Sequence, residues 1–199
     1  MGIRETPLTY EDYKALSAST DDRYELIDGE IFMVPAPTVA HQVVSKNLLI
    51  LLELHARATR CGLVLSAPVD VVLGAGARCS VVQPDVLFVS NERLGLVTKA
   101  EVVGAPDLVV EILSPGTAER DRSQKKALYA RNRVREYWIV DVELESIEVF
   151  VLSARGYERP VRYDAGDTLI AAVVPGLEVP VAEVFMGQPT KWIGRAGPI

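Results

Sequence analysis

The chain has 199 residues, 49% of them hydrophobic and 24% charged, with a formal net charge of −6. That size and balance suit one folded domain, expected over residues 1–187 with a tail over 188–199. The acidic balance excludes a protein that coats nucleic acid by charge alone, because such binding rests on neutralising phosphates.

Taken in chain order, residues 9–18 read as a short helix, with Thr9 as N-cap and Asp12 three residues on. Residues 24–34 read as a hairpin, because Asp28-Gly29 is a favoured two-residue turn between apolar runs. Residues 41–60 form a long helix whose Val44, Leu48, Leu51 and Leu52 share a face, and Gly62 stands as its C-terminal glycine. Residues 63–73 read as a strand closed by the turn Gly74-Ala75-Gly76, and residues 80–90 as a second strand interrupted by Pro84. The run Leu108-Val109-Val110 within 107–113 suits a buried central strand. Ser114-Pro115-Gly116-Thr117 breaks the chain before a helix over 118–132, and a strand follows over 136–141. Residues 147–152 and 157–163 make a closing strand pair, and residues 166–185 are loops and short strands packed on the core. This order predicts an α/β (α+β) domain, a mixed sheet flanked by helices.

No run is long and apolar enough to cross a bilayer; the best candidate, 43–54, carries Lys46 and Glu53. Residues 1–10 contain no apolar stretch of the secretory kind, so the expected compartment is the cytoplasm. Cys61 and Cys79 make no CxxC pair and have only His41 and His55 to help them, which argues for reduced thiols over a structural zinc.

The polar residues within the predicted strands carry the chemistry. Asp85 follows Pro84 in the apolar stretch Val-Val-Gln-Pro-Asp-Val-Leu-Phe-Val, and Glu111 ends Leu-Val-Val-Glu. A carboxylate in a buried strand is costly unless it is paired or binds a metal. Two such acids on adjacent strands suit a divalent cation with hard oxygen ligands, Mg²⁺ or Mn²⁺. Taken singly, each acid is better explained by a nearby Arg or Lys, or by a place at a strand end in water. Residues 117–136 hold seven basic residues against three acidic ones. By itself that run is a solvated helix face with pairs such as Asp121–Lys125.

Five segments lift these pieces together. They are Tyr-Glu-Leu-Ile-Asp-Gly-Glu (24–30), Val-Gln-Pro-Asp (82–85), Gly-Ala-Pro-Asp-Leu-Val-Val-Glu-Ile-Leu-Ser-Pro (104–115), Asp-Arg-Ser-Gln-Lys-Lys-Ala-Leu-Tyr (121–129) and Val-Arg-Glu-Tyr-Trp-Ile-Val-Asp (134–141). In content and order they resemble the Uma-two family of the PD-(D/E)XK nuclease superfamily, whose restriction-endonuclease-like fold is a mixed sheet flanked by helices. The resemblance implies that Asp85 and Glu111 bind the metal as the motif acids. Leu113 stands where the superfamily has its lysine, and Lys125 on the next helix takes that role. Glu25 resembles the family's N-terminal acid and is a third candidate ligand, or else an exposed hairpin residue. His41, Arg122 and Lys126 are the candidate substrate contacts, with a helix cap as the other reading of His41. Tyr129 and Trp138 read as core residues, and Asp107 as a turn residue, since it lies on the same strand as Glu111. The implied activity is a metal-dependent DNA endonuclease acting as a homodimer. The alternative is an inactive nucleic-acid-binding or interaction module that kept the fold. Residues 170–185 are a candidate dimer surface, with core packing as their other use.

Overall fold

The computed structural model describes residues 7–76 and 79–188. Helix α1 (Tyr10–Ser19) opens with a complete capping box: Asp12 N–H donates to Thr9 Oγ1 at 3.3 Å and Thr9 N–H donates to Asp12 Oδ2 at 2.8 Å. Strands β1 (Tyr24–Ile27) and β2 (Glu30–Met33) pair as the expected hairpin. Asp28 and Gly29 at its tip have φ of 54° and 84°, the paired left-handed residues of a type I′ turn. Helix α2 (Val39–Thr59) starts two residues earlier than the apolar spacing suggests, where Thr38 caps it. Its left-handed C-cap is Arg60, not glycine. Gly62 has a different reason to be small: a Cβ there would lie 2.3 Å from the Val89 carbonyl oxygen on the neighbouring strand.

The runs read as two strands are in fact four. Residues 63–73 divide into β3 (Gly62–Ser66) and β4 (Asp70–Leu73), and residues 80–90 into β5 (Ser80–Val82) and β6 (Val86–Ser90). β3 pairs with β6 and β4 with β5, so residues 62–73 and 80–90 form one long antiparallel ribbon. Pro68 and Pro84 bend it, because proline cannot donate to a ladder. Beyond the bend the ribbon changes sheet. Ala67 N–H donates to the Asp85 carbonyl at 3.1 Å and ties the two bent strands together.

A 3₁₀ turn (Asn91–Leu96) leads to β7 (Glu101–Val103), a strand not foreseen in the sequence, which pairs parallel with β4. Then come β8 (Leu108–Ile112), α3 (Ala118–Arg120), a π-helical turn (Asp121–Lys125) and α4 (Lys126–Arg131). The chain closes with β9 (Glu136–Asp141), β10 (Ser146–Ser153), β11 (Gly156–Tyr157), β12 (Val161–Asp164), β13 (Thr168–Ile170), β14 (Glu178–Pro180) and α5 (Val181–Val184).

In place of one sheet there are two main ones. The smaller has the order β2-β1-β5-β4-β7; the larger runs β11-β10-β9-β8-β6-β3, with β12 also on β10. Both are mixed: β8–β9 and β4–β7 are parallel, and their neighbours are antiparallel. Alternation along β8 separates its side chains. Leu108, Val110 and Ile112 pack with Val44, Leu48, Leu52 and Ala56 of α2. Val109 faces the other way, with Leu128 and Tyr129 of α4 and with Ile27 and Val71 of the smaller sheet. Helix α1 covers the remaining face of that sheet through Tyr13, against Leu26, Val72 and Val81. The segment 166–185 packs on the core, as its apolar pattern suggests: Leu169, Val179, Val184 and Phe185 join the α2 cluster. Gln188, placed by composition at the start of a tail, is buried; residues 189–199 lie outside the described residues.

Leu48 is fully buried between α2 and the larger sheet. Leu48→Ala should lower unfolding free energy by about 2–5 kcal/mol, seen as a lower urea midpoint with an unchanged slope.

Candidate active site

The space between the two sheets and the start of α2 is a cleft of about 400 Å³, lined by Glu25, His41, Asp85, Glu111, Asp121 and Lys125 among others. Strand alternation explains two of these. Glu111 shares the face of Val109, toward α4, and Glu25 shares the inward face of Ile27. Asp85 lies in the ribbon's bend, where the backbone leaves one ladder for another. Its Oδ2 accepts the Ile112 N–H at 2.8 Å, which fastens the bend beside Glu111. His41, in the first turn of α2, places Nε2 3.3 Å from the same oxygen.

The Lys125 ammonium group sits in the middle. Nζ lies 2.8 Å from Glu25 Oε1, 3.1 Å from Glu111 Oε1 and 3.5 Å from Asp121 Oδ1. Glu25 Oε1 also accepts the Gln83 N–H at 2.9 Å, and Glu111 Oε1 accepts the Tyr129 hydroxyl at 2.5 Å. Burial pushes the Glu111 carboxyl well above the usual carboxylate range against the pull of Lys125, and the charges of Asp121, Asp85 and Glu25 push the same way. Asp121 is raised by burial too, again opposed by Lys125. Burial alone would lower Lys125, but the charges of Glu111, Glu25 and Asp121 outweigh it and hold the ammonium group protonated. His41 behaves alike: burial disfavours its charge, and the Asp85 hydrogen bond and charge raise it overall.

Of the residues singled out in the sequence, the structure brings together Glu25, His41, Asp85, Glu111 and Lys125. It does not bring Arg122 and Lys126 to the cleft. Arg122 pairs with Glu148 and, at 3.6 Å, with Asp141. Lys126 lies over the Phe150 ring, 5.2 Å from its centroid. The reason is helix geometry: one residue beyond Lys125 is a rotation of about 100°. Leu113, at the superfamily's lysine position, packs against the cluster around Val109 and Tyr137. Asp107 is buried at the entrance of β8, held by Arg93 at 3.0 Å, Arg135 at 2.9 Å and the Ser90 N–H at 2.8 Å. Asp121 and Tyr129 belong to the site although the sequence reading gave them other places. The Asp121–Lys125 spacing was visible, but its burial was not.

Asp85 and Glu111 are hard oxygen donors fastened side by side, the kind Mg²⁺ takes one or two at a time, with water and phosphate filling the rest of its shell. Asp121 Oδ1 is buried with no hydrogen-bond partner beyond its 3.5 Å ion pair with Lys125, and Glu111 is raised chiefly by burial, with the charges of Asp121, Asp85 and Glu25 adding to it. Among the described residues no group of three or more His, Cys, Asp and Glu side chains forms a ready-made metal cage. Asp85 and Glu111 are thus the two oxygen donors in the cleft that a magnesium-type ion would take.

Two packed mixed sheets with an acid-and-lysine cleft between them define a restriction-endonuclease-like protein, and comparison with known proteins agrees. The crystal structure of a "putative nuclease belonging to DUF820" from Anabaena variabilis matches with a TM-score of 0.74 at 17% identity, over 90% of this chain and 98% of that one. The chain belongs to the Uma2 family, described as "Putative restriction endonuclease", whose model matches residues 10–182. Two relatives come from Synechocystis sp. strain PCC 6803. The uncharacterized protein slr1290 is 28% identical over 90% of this chain and 92% of its own length; the uncharacterized protein sll1609 is 27% identical over 67% and 75%. Among the described residues no helix is long and apolar enough to cross a membrane.

Lys125→Met would leave Glu25, Glu111 and Asp121 without their shared cation. Stability at neutral pH should fall by about 3–5 kcal/mol, and the deficit should shrink in acid as the carboxyls take up protons, as urea melts at two pH values would record. His41 is raised above its ordinary value of 6.5, so its stabilisation is complete below that value and is lost as pH rises through the raised one. In EDTA, His41→Gln should flatten that alkaline-side decline, which sets in above about pH 6.5.

Proposed function

We propose that the protein is a metal-dependent DNA endonuclease, with Asp85 and Glu111 as metal ligands and Lys125 as the third catalytic group. The observation that carries this reading is the ammonium group of Lys125, 3.1 Å from Glu111, supplied from the helix after β8 while leucine occupies position 113. Membership of a family described as a restriction endonuclease supports it.

Bound at Asp85 and Glu111, with Glu25 adjoining, Mg²⁺ or Mn²⁺ would supply Lewis-acid polarisation of a phosphoryl oxygen and lower the pKa of water. The protein's own groups then have definite tasks. Lys125 orients the attacking water and opposes the charge that develops on phosphate. Tyr129 fixes one oxygen of Glu111 through its 2.5 Å hydrogen bond, and the Ile112 N–H does the same for Asp85. His41 steadies the same Asp85 oxygen and lines the cleft that the strand would enter. Water adds to phosphorus, the bond to the 3′ oxygen breaks, and that oxygen takes a proton, which leaves a 5′-phosphate and a 3′-hydroxyl. Cutting both strands calls for two copies, so a homodimer is part of the proposal.

Supercoiled plasmid with Mg²⁺ or Mn²⁺ should be nicked by the wild type. Asp85→Ala and Glu111→Ala should each lose more than about 100-fold of that rate and lose metal binding in calorimetry. Lys125→Gln should lose about 100- to 1,000-fold and keep metal binding. A wild type that binds neither metal and leaves the plasmid intact returns the protein to the alternative of a binding module on the nuclease fold.

A further inference from the structure

The cleft has a basic rim that the carboxylate centre does not use. Arg23, just before β1, and Lys46, in the second turn of α2, both line it. Neither forms an ion pair with any described residue, although four carboxylates line the same cleft.

Arg23 is held in place by a neutral partner. Its Nε donates to Gln83 Oε1 at 2.8 Å, and Gln83 Nε2 donates in turn to Asp70 Oδ1 at 2.9 Å. The Gln83 N–H meanwhile donates to Glu25. The chain Asp70–Gln83–Arg23 therefore orients the guanidinium group relative to the carboxylate centre and leaves its charge uncompensated. A fixed arginine with an unspent charge at the edge of an acidic cleft suits a phosphate diester, which the planar fork meets with two parallel hydrogen bonds. Lys46 projects from the face of α2 that also presents His41 and Gln42 to the cleft, and adds a mobile point charge on a second element. The lining contains no phenylalanine, tyrosine or tryptophan among the described residues, so nothing aromatic of that kind stacks a base there.

We infer that Arg23 and Lys46 are backbone-binding residues that grip the phosphates of a nucleic-acid strand on either side of the reacting one, without reading its bases. The inference rests on the nuclease reading and extends it to the substrate class: a phosphodiester backbone of any sequence. Gln83 is the positioning residue for Arg23.

The test is fluorescence anisotropy with two labelled DNA duplexes of unrelated sequence, in EDTA and again in Ca²⁺, over a series of salt concentrations. Each cation that neutralises a phosphate contributes about 0.9 to the slope of log K against log salt. Arg23→Gln and Lys46→Gln should each reduce the slope by about that amount, equally for both duplexes. Arg23→Lys should keep the slope while weakening binding, because the charge remains and the fork is lost. Circular dichroism checks that each variant folds, and Lys46, on the exposed side of α2, carries the test if Arg23→Gln does not. Unchanged slopes in the Gln variants, slopes that change for one duplex only, or a wild type that binds neither duplex would overturn the inference. Plasmid cleavage separates the two claims. Reduced slopes without wild-type cleavage would sink the nuclease reading and leave the phosphate grip; cleavage with unchanged slopes would do the reverse.

Discussion

Lys125 is buried to within a few per cent of full enclosure, yet three carboxylates from three different parts of the chain meet at its ammonium group. A lone charge so far from water would be prohibitively unfavourable, and so would the carboxylates without it. The larger sheet contributes Glu111, the smaller contributes Glu25, and the helix between them contributes both Lys125 and Asp121. The two sheets are thus joined by charge at the cleft floor as well as by the apolar cluster around Val109 and Tyr129. The same crowding that makes the arrangement sensitive makes it chemically useful, since carboxylates short of positive charge welcome a cation.

Much of this was legible in the sequence where periodicity or a turn rule applied. The Asp28-Gly29 hairpin, the Thr9 capping box and the uninterrupted apolar run of β8 all stand as local rules require. The sheet split was not legible. Residues 62–90 keep the same apolar pattern on both sides of Pro68 and Pro84, so nothing local says that the ribbon changes sheet there. The parallel edge strand β7 was missed because only three residues form it, and its partner β4 is remote in sequence.

The site divides in the same way. Asp85 and Glu111 stood out as carboxylates in apolar runs and Lys125 through resemblance, and the fold gathers them. Arg122 and Lys126 belong to the same basic run, but their directions depend on how the helix is rotated against the sheet, which composition does not encode. The pair Asp121–Lys125 has the spacing of a surface ion pair, and only the neighbouring sheet turns it into a buried one. Tyr129 resembles any other core aromatic until its hydroxyl is seen to end on Glu111.

The π-helical turn at Asp121–Lys125 has a consequence of its own. Such a turn holds one residue more than an α-turn of the same helix, and these single-turn insertions recur at functional sites. The wide turn takes up that residue within about one turn's rotation, so the helix after it keeps nearly the phase of a regular α-helix one residue shorter. A deletion inside the turn would therefore leave Tyr129 directed at Glu111, whereas a deletion in the regular helix between Lys125 and Tyr129 would rotate that hydroxyl away by about 100°. For this fold, the phase of one helix counts as heavily as the identity of the residues it carries.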